Sequence, residues 1–140
     1  MKLYIVGIGP GNYENMTVRA DRALQESQVI VGYPVYVDLV KDRYPDKQYL
    51  STAMTQEAER SRMAIEEARN GKTVPMICSG DSGIYGMAGI IYQVAEEMNA
   101  DIEIETVPGV TAASAAASVL GAPLMHDFAV ISLSDLMTSW

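Results

Sequence analysis

The chain has 140 residues, of which 49% are hydrophobic and 20% are charged, and this predicts one globular domain with a substantial core. Its formal net charge of −8 argues against a nucleic-acid surface, because phosphates would be repelled. A single cysteine, Cys78, excludes an internal disulfide and an all-cysteine metal cluster. Cys78 falls in an apolar strand, where we expect a small buried side chain.

The hydrophobic pattern predicts strands that alternate with helices. Apolar β-branched runs indicate the strands, and apolar residues at helical spacing, with caps and following glycines, indicate the helices. In chain order the predicted elements are strand 2–8, a helix capped by Thr17, strand 29–31, helix 35–40, strand 49–50, helix 56–70, strand 73–78, helix 84–98, strand 102–107 and helix 109–120. This alternation predicts right-handed βαβ units in an α/β fold, a three-layer domain with a mainly parallel five-stranded sheet flanked by helices.

One uncharged run, residues 107–125, has about the length of a membrane span. It consists mainly of Ala, Ser and Gly with two prolines, and such residues gain little free energy on transfer into lipid. We interpret the run as a buried helix with flanking turns. The apolar start, residues 1–6, is too short for a signal peptide, so we expect a cytoplasmic protein without membrane contact.

Glycine-rich loops follow three of the predicted strands. The first loop is 7–11, the second loop is 79–89 and the third loop is 108–111. The carboxyl ends of parallel strands meet at one edge of the sheet, where ligands bind in such folds. Four glycines in the second loop would let backbone N–H groups approach a ligand, although a tight structural connection is the alternative.

Familiar nucleotide motifs do not fit these loops. A G-x-G-x-x-G match starting at Gly7 would need glycine at position 12, which is Asn12, and Pro10 lacks a backbone donor. The second strand ends without an acid for a ribose, so a dinucleotide site is disfavoured. A P-loop is excluded because the chain has no Gly-Lys-Ser/Thr.

A protease-like tetrapeptide, residues 80–83 (GDSG), also fails on its context. Trypsin-like proteases are all-β and place their histidine before the serine, whereas His126 follows Ser82. The G-x-S-x-G motif fails too, because position 84 is Ile84. We expect no metal site, since the acids and arginines of helix 56–70, Arg60 among them, suit a solvated surface.

The three loops carry a family resemblance. Residues 7–11 (GIGPG), 79–87 (SGDSGIYGM) and 107–113 (VPGVTAA) together resemble the tetrapyrrole (corrin/porphyrin) methylase family, in the family's order and spacing. Residues 31–33 (VGY) and 131–136 (ISLSDL) are most similar to the precorrin-3B (cobalt-factor III) C17-methyltransferases of that family. The resemblance covers the whole chain.

This resemblance implies S-adenosylmethionine-dependent methylation of a tetrapyrrole, precorrin-3B or cobalt-factor III, at C17 with ring contraction in cobalamin biosynthesis. The sulfonium methyl group is already activated, so no metal is implied. The positions that match the family's cofactor site are Pro10, Gly80, Asp81, Ile84, Thr111 and Ala112. Helix capping by Asp81 and ordinary packing by Ile84 and Ala112 are the alternatives. Tyr33, after the second strand, is a candidate base for release of a proton.

The family also implies a second α/β domain, with the cofactor in the cleft between the two domains. We therefore interpret residues 1–133 as the N-terminal domain and 134–140 as the start of a linker. The isolated chain is expected to be inactive and, because the missing interface exposes apolar surface, to form a homodimer. Another tetrapyrrole C-methyltransferase and a non-catalytic binding domain are the alternative functions.

Overall fold

The computed structural model describes residues 1–132 of the chain, so the predicted linker 134–140 lies outside the described residues. Five strands and five helices alternate along these described residues. They are β1 (Lys2–Gly7), α1 (Val18–Glu26), β2 (Val29–Gly32), α2 (Pro34–Val40), β3 (Gln48–Leu50), α3 (Glu57–Arg69), β4 (Thr73–Cys78), α4 (Ala88–Glu97), β5 (Glu103–Val107) and α5 (Ala112–Leu120). A short 3-10 turn, Tyr13–Asn15, precedes α1.

All strands are parallel and form one sheet in the order β3-β2-β4-β1-β5. The register places Val6 of β1 between Ile77 of β4 and Val107 of β5. The three inner strands β1, β2 and β4 are buried along most of their length, which explains their nearly unbroken apolar sequence. The predicted five-stranded α/β fold is confirmed.

Helices cover both faces of the sheet. Side chains alternate between the faces, so Ile5 packs with α3 and α4 while its neighbour Val6 packs with α1 and α2. Each large apolar side chain buried in these layers, such as Leu24 on one face and Ile65 on the other, stabilises the fold by about 1.5–3 kcal/mol. The sheet and the helix layers on its two faces together form the predicted three-layer domain.

The topology fixes where a crevice must open. From β1 the chain crosses by α1 towards β2 on one face, and from β4 it crosses by α4 towards β5 on the other. Since β1 and β4 are neighbours whose connections run to opposite faces, their carboxyl ends mark the topological switch point of the sheet. The first and second loops leave the sheet at this point.

Two predicted helices differ from the structure at their starts. The helix predicted from residue 84 begins at Ala88, because the Asp81 carboxylate accepts the N–H groups of Gly83 and Ile84 and Tyr85 has a left-handed φ of 53°. These interactions hold the second loop in a non-helical path. The helix predicted from residue 109 begins at Ala112, after the third loop.

Helix α5 also differs in its environment. It was predicted to be buried, but none of its residues is buried, and Val119 and Leu120 are 86% and 78% exposed. The helix follows the edge strand β5, and no other helix of residues 1–132 covers its outer side. Among these residues, moreover, no helix has both the length and the apolar character needed to cross a membrane.

Candidate functional site

The first and second loops are joined at the switch point by a reciprocal backbone pair. The N–H of Gly9 donates to the carbonyl of Gly80 over 3.0 Å, and the N–H of Gly80 donates to the carbonyl of Gly9 over 2.8 Å. Gly80 has a φ of +66°, a conformation that side chains disfavour, which explains the glycine at this position. Two loops far apart in sequence therefore form one rigid wall.

Asp81 ties the second loop to the third. Its Oδ1 accepts the N–H of Gly109 over 2.9 Å, and its Oδ2 accepts the N–H groups of Gly83 and Ile84 over 2.8 and 3.2 Å. The carboxylate therefore serves three backbone donors of the loops. It does not cap a helix, because α4 starts seven residues later, at Ala88.

Close packing of the loops restricts two further positions. Ser82 is fully buried, and its hydroxyl donates to the carbonyl of Val107 over 3.1 Å, so it cannot serve as an exposed nucleophile. A Cβ atom at Gly109 would overlap the carbonyl oxygens of Gly80 and Gly7. The loops meet only because glycine stands at this position.

A cleft of about 830 Å³ opens beside the joined loops. Three of the predicted cofactor residues, Pro10, Gly80 and Ala112, line it together. The remaining lining residues come from the turn before α1, the loops and one side of α5: Asn12, Asn15, Ser79, Val110, Ser114, Ala115, Ala116, Ser118, Val119 and Leu120. Small side chains thus leave the space open and expose the backbone.

The other three predicted cofactor residues do not line this cleft. Thr111 is the N-cap residue of α5, and its Cα lies 3.7 Å from the Cβ position that a side chain at Gly80 would take. Asp81 uses its carboxylate to hold the backbone of the second and third loops. Ile84 is 44% exposed and lies where the second loop turns away from the sheet.

Helix α5 points its N-terminus at the cleft. The Thr111 side chain makes no capping hydrogen bond, and the first intrahelical bond runs from Ala115 N–H to the Thr111 carbonyl. The N–H groups of the first turn, 112–114, therefore have no intrahelical acceptor. They are available to a hydrogen-bond acceptor in the cleft, where the helix dipole favours negative charge.

A second, smaller cavity of about 380 Å³ lies on the other side of the second loop. Tyr33 lines it, not the larger cleft, and its ring meets that of Tyr36 edge-on with 5.5 Å between the centroids. Tyr85 of the second loop closes another side, and its hydroxyl donates to the carbonyl of Val130 over 3.0 Å. Ser79 lines both cavities, so they adjoin at this residue.

Arg60 in this cavity corrects a sequence-based expectation. It was predicted on the solvated face of its helix, but only 4% of the residue is exposed. Its position in α3, one turn before Ala64 and two turns before Ala68, puts it on the buried face. This spacing is the signal that could have identified it.

Cys78 ends β4 beside the same cavity and is 2% exposed, so the predicted buried thiol is confirmed. Burial raises the pKa of the Cys78 thiol to about 11. The hydrogen bond from the Met87 N–H to Sγ, 3.4 Å long, lowers this pKa but offsets the effect of burial only in part. The thiol stays protonated at neutral pH and is unsuited to nucleophilic chemistry.

The sequence and fold place the chain in a known family. A family model described as Tetrapyrrole (Corrin/Porphyrin) Methylases matches residues 2–140, and the chain belongs to this family. The chain is 51% identical to a protein of Salmonella typhimurium named "Probable cobalt-factor III C(17)-methyltransferase", over 99% of this chain and 57% of that protein. The chain thus spans little more than half the length of this relative.

Two solved structures extend the comparison. The methyltransferase CobJ superposes with a TM-score of 0.89 and 37% identity, over 98% of this chain and 58% of that one. The uroporphyrin-III C-methyltransferase of Thermus thermophilus, solved in complex with S-adenosyl homocysteine, superposes with a TM-score of 0.68 and 27% identity, over 91% and 54%. The described domain is therefore the shared α/β unit of these longer methyltransferases.

Proposed function

We propose that the chain forms part of an S-adenosylmethionine-dependent methyltransferase that acts on cobalt-factor III or precorrin-3B at C17, with ring contraction, in cobalamin biosynthesis. One observation carries the proposal. The three loops that match the family converge on a single cleft at the switch point of the sheet. The similarity to the named C17-methyltransferase and to CobJ supports the choice of reaction within the family.

The cleft residues fit the methyl donor. S-Adenosylmethionine carries an adenosine and an amino-acid group around a sulfonium, and a cleft of about 830 Å³ has the size of a small-molecule site. A side chain at Gly80 would lie 3.7 Å from the N of Ala112, so the glycine keeps open the space in front of that backbone donor. Bound there, the cofactor would supply an activated methyl group.

The site residues divide into two roles under this proposal. Pro10, Gly80 and Ala112 contact the cofactor, while Asp81 and Thr111 hold the loops and the first turn of α5 where these contacts require. A fixed wall contributes to methyl transfer by orienting the reacting groups, an effect that can reach about 7–11 kcal/mol in well-oriented systems. Ile84 stays a proposed cofactor contact on the strength of the family match.

Tyr33 remains the proposed base. Its ring lines the smaller cavity, which adjoins the cleft at Ser79. A macrocycle that covers this junction would have its reacting edge at the cleft and a neighbouring part over Tyr33. Proton transfer needs contact or one bridging water, and this position allows either.

The second wall of the site is proposed to come from the polypeptide that the longer relatives possess beyond the matched region. The exposed apolar residues of α5 and the segment after it, including Val119, Leu120 and Phe128, would be covered by that part. Under this proposal residues 1–133 are the N-terminal domain, and the cofactor lies between the two domains. In its absence the same apolar surface would support a homodimer.

Calorimetric titration with S-adenosylhomocysteine tests the proposal. We expect one site per chain, whose affinity falls when Asp81 is replaced by alanine. Incubation of the chain joined to the remainder of the enzyme with S-adenosylmethionine and cobalt-factor III should add one methyl group, placed at C17 by NMR. Binding without transfer would favour a non-catalytic domain, and methylation elsewhere would favour another enzyme of the family. If S-adenosylhomocysteine bound neither the chain alone nor the chain joined to the remainder of the enzyme, the proposal would be overturned.

A further inference from the structure

The guanidinium of Arg60 is buried and has no ionic partner within the residues that the structure describes. Its Nε donates to Thr52 Oγ1 over 3.1 Å, and its Nη2 donates to the carbonyls of Thr52 and Ala53 over 3.5 and 3.1 Å. Within residues 1–132 it forms no ion pair with a carboxylate. A cation this deeply buried normally has a charged partner, so an anion is expected beside it.

Arg60 lines the smaller cavity, and the described residues leave one nitrogen of its guanidinium without a hydrogen bond. Across the described residues Nη1 makes no hydrogen bond, yet no buried side-chain nitrogen or oxygen there lacks a partner. Nη1 is therefore accessible, and the space that Arg60 lines is the cavity of about 380 Å³. The two N–H groups of Nη1 are therefore free to donate to a ligand.

The surroundings hold this group rigidly. The guanidinium carbon lies 5.6 Å from the centre of the Tyr33 ring, and Tyr36 packs on that ring. The cation–π contact with Tyr33 and the bonds to residues 52 and 53 fix the orientation of the guanidinium before any ligand arrives. A planar, preorganised guanidinium suits the two oxygens of a carboxylate.

Glu57 also lines the cavity and adds a negative charge to it. It stands in the first turn of α3, one turn before Arg60, where the helix dipole stabilises its charge without an ion pair to Arg60. It would weaken the binding of an anion without displacing it from Arg60. Replacement of Glu57 and replacement of Arg60 should therefore change the affinity for the same anionic ligand in opposite directions.

We propose that the Arg60 cavity is a subsite for a carboxylate arm of the tetrapyrrole substrate. The inference rests on the proposed function, because that function supplies a substrate with several acidic side chains. Ser79 borders both cavities, so a macrocycle that presents a carbon to the cleft has an arm within reach of Arg60. On a chain with a net charge of −8, this buried arginine provides local attraction that the surface as a whole does not.

The methyl donor also carries a carboxylate, so the test separates the two sources. The protein, joined to the remainder of the enzyme, is titrated with cobalt-factor III, followed by absorbance, and separately with S-adenosylhomocysteine by calorimetry. Arg60→Met should raise the Kd for cobalt-factor III by about tenfold to hundredfold, the range of a charge-assisted hydrogen bond. The Kd for S-adenosylhomocysteine should not change.

Two variants control this result. Arg62→Met removes an exposed arginine of the same helix, paired with Glu59, and should leave both affinities unchanged. Glu57→Gln should strengthen the binding of cobalt-factor III by about twofold to fivefold, because a nearby like charge is removed. Higher salt should reduce the effect of both cavity variants.

Equal losses for both ligands in Arg60→Met would show that the arginine holds the methyl donor and would overturn the proposal, as would no loss at all. If Arg60→Met does not fold, the subsite is tested by other measurements. These are the affinities of Arg60→Lys and Glu57→Gln for cobalt-factor III, and the affinity of the wild type for the methyl ester of cobalt-factor III. An ester that binds the wild type as tightly as the free acid refutes the subsite. A wild type that binds no S-adenosylhomocysteine counts against the proposed function instead.

Discussion

The carboxylate of Asp81 accepts a hydrogen bond from the N–H of Gly109, twenty-eight residues later in the chain, with 2.9 Å between Oδ1 and N. Its other oxygen holds the N–H groups of Gly83 and Ile84. One side chain thus fixes the path of the second loop and its distance from the third. Under the proposed function, Asp81 therefore acts on cofactor binding through the backbone that it holds.

Asp81→Ala should reduce both stability and cofactor affinity. Three backbone donors lose their acceptor, which costs about 1–3 kcal/mol in the free energy of unfolding, since some of them regain water. The affinity for S-adenosylhomocysteine should fall by about tenfold, because the loops must then be ordered on binding. Urea unfolding and calorimetry measure the two effects.

Asp101→Ala is the matched control for Asp81→Ala. Asp101 is exposed and precedes β5 at the opposite edge of the sheet. Its replacement should change neither quantity. If Asp81→Ala behaved like Asp101→Ala, the loops would be held together by something other than this carboxylate.

Gly109→Ala should be far more harmful than Gly89→Ala. The added methyl group at position 109 would overlap two backbone carbonyls, so the loops must separate at a cost of about 1–3 kcal/mol, with loss of cofactor binding. At Gly89, in the first turn of α4, a methyl group meets no atom within 4 Å, and alanine should stabilise the helix by about 0.5–1 kcal/mol. Thermal denaturation of the pair checks the contrast, and equal behaviour would contradict it.

Cys78 should make folding stability fall at high pH. The folded pKa, about 11, lies above the ordinary value of 9.0, so above pH 9 the unfolded chain has released the thiol proton and the folded chain has not. Deprotonation then favours the unfolded state, by about 1.4 kcal/mol at pH 10. Tyr44 and Tyr49, whose pKa values burial also raises, act in the same direction.

The thiol contribution is isolated by comparison with Cys78→Ala. Urea unfolding at about pH 8 and pH 10 should show a smaller loss of stability in the variant than in the wild type. Alkylation by iodoacetamide supplies a second readout, since the native thiol should react only after unfolding. A rapid reaction in the native state would contradict the burial of Cys78.

Self-association should depend on the end of α5. Val119→Ser with Leu120→Ser removes two apolar side chains that are 86% and 78% exposed, and should lower the dimer fraction in sedimentation experiments on the chain. Stability should change by about 0.5 kcal/mol or less, because both side chains are exposed. Val18→Ser, which removes a valine that is 67% exposed at the start of α1, is the control and should not alter the assembly.

The sheet and the joined loops could be predicted because their signals are local. Apolar runs identify strands buried on two faces, and glycines at strand ends, such as Gly80, mark backbone that must turn sharply. The start of α4 was missed because the carboxylate of Asp81 competes for the same N–H groups that a helix would use. Periodicity in sequence does not reveal that competition.

The environment of a helix is harder to predict than its existence. The alanines of α5 predict a helix that can pack closely, but not whether anything lies against it, and the helix is exposed. Arg60 shows the reverse case, since its charge indicated solvent while its spacing from Ala64 placed it inside. Both errors concern tertiary contacts, which no single segment specifies.

The reciprocal pair between Gly9 and Gly80 is an antiparallel bridge two residues beyond the last paired residues of β1 and β4. Its backbone is ordered when the sheet forms, so this wall loses little further conformational entropy when a ligand arrives. Hydrogen exchange should therefore be as slow at the Gly80 amide as within the strands, with or without ligand. Formation of the sheet therefore also places the backbone of Gly9 and Gly80 in the conformation proposed to bind the ligand.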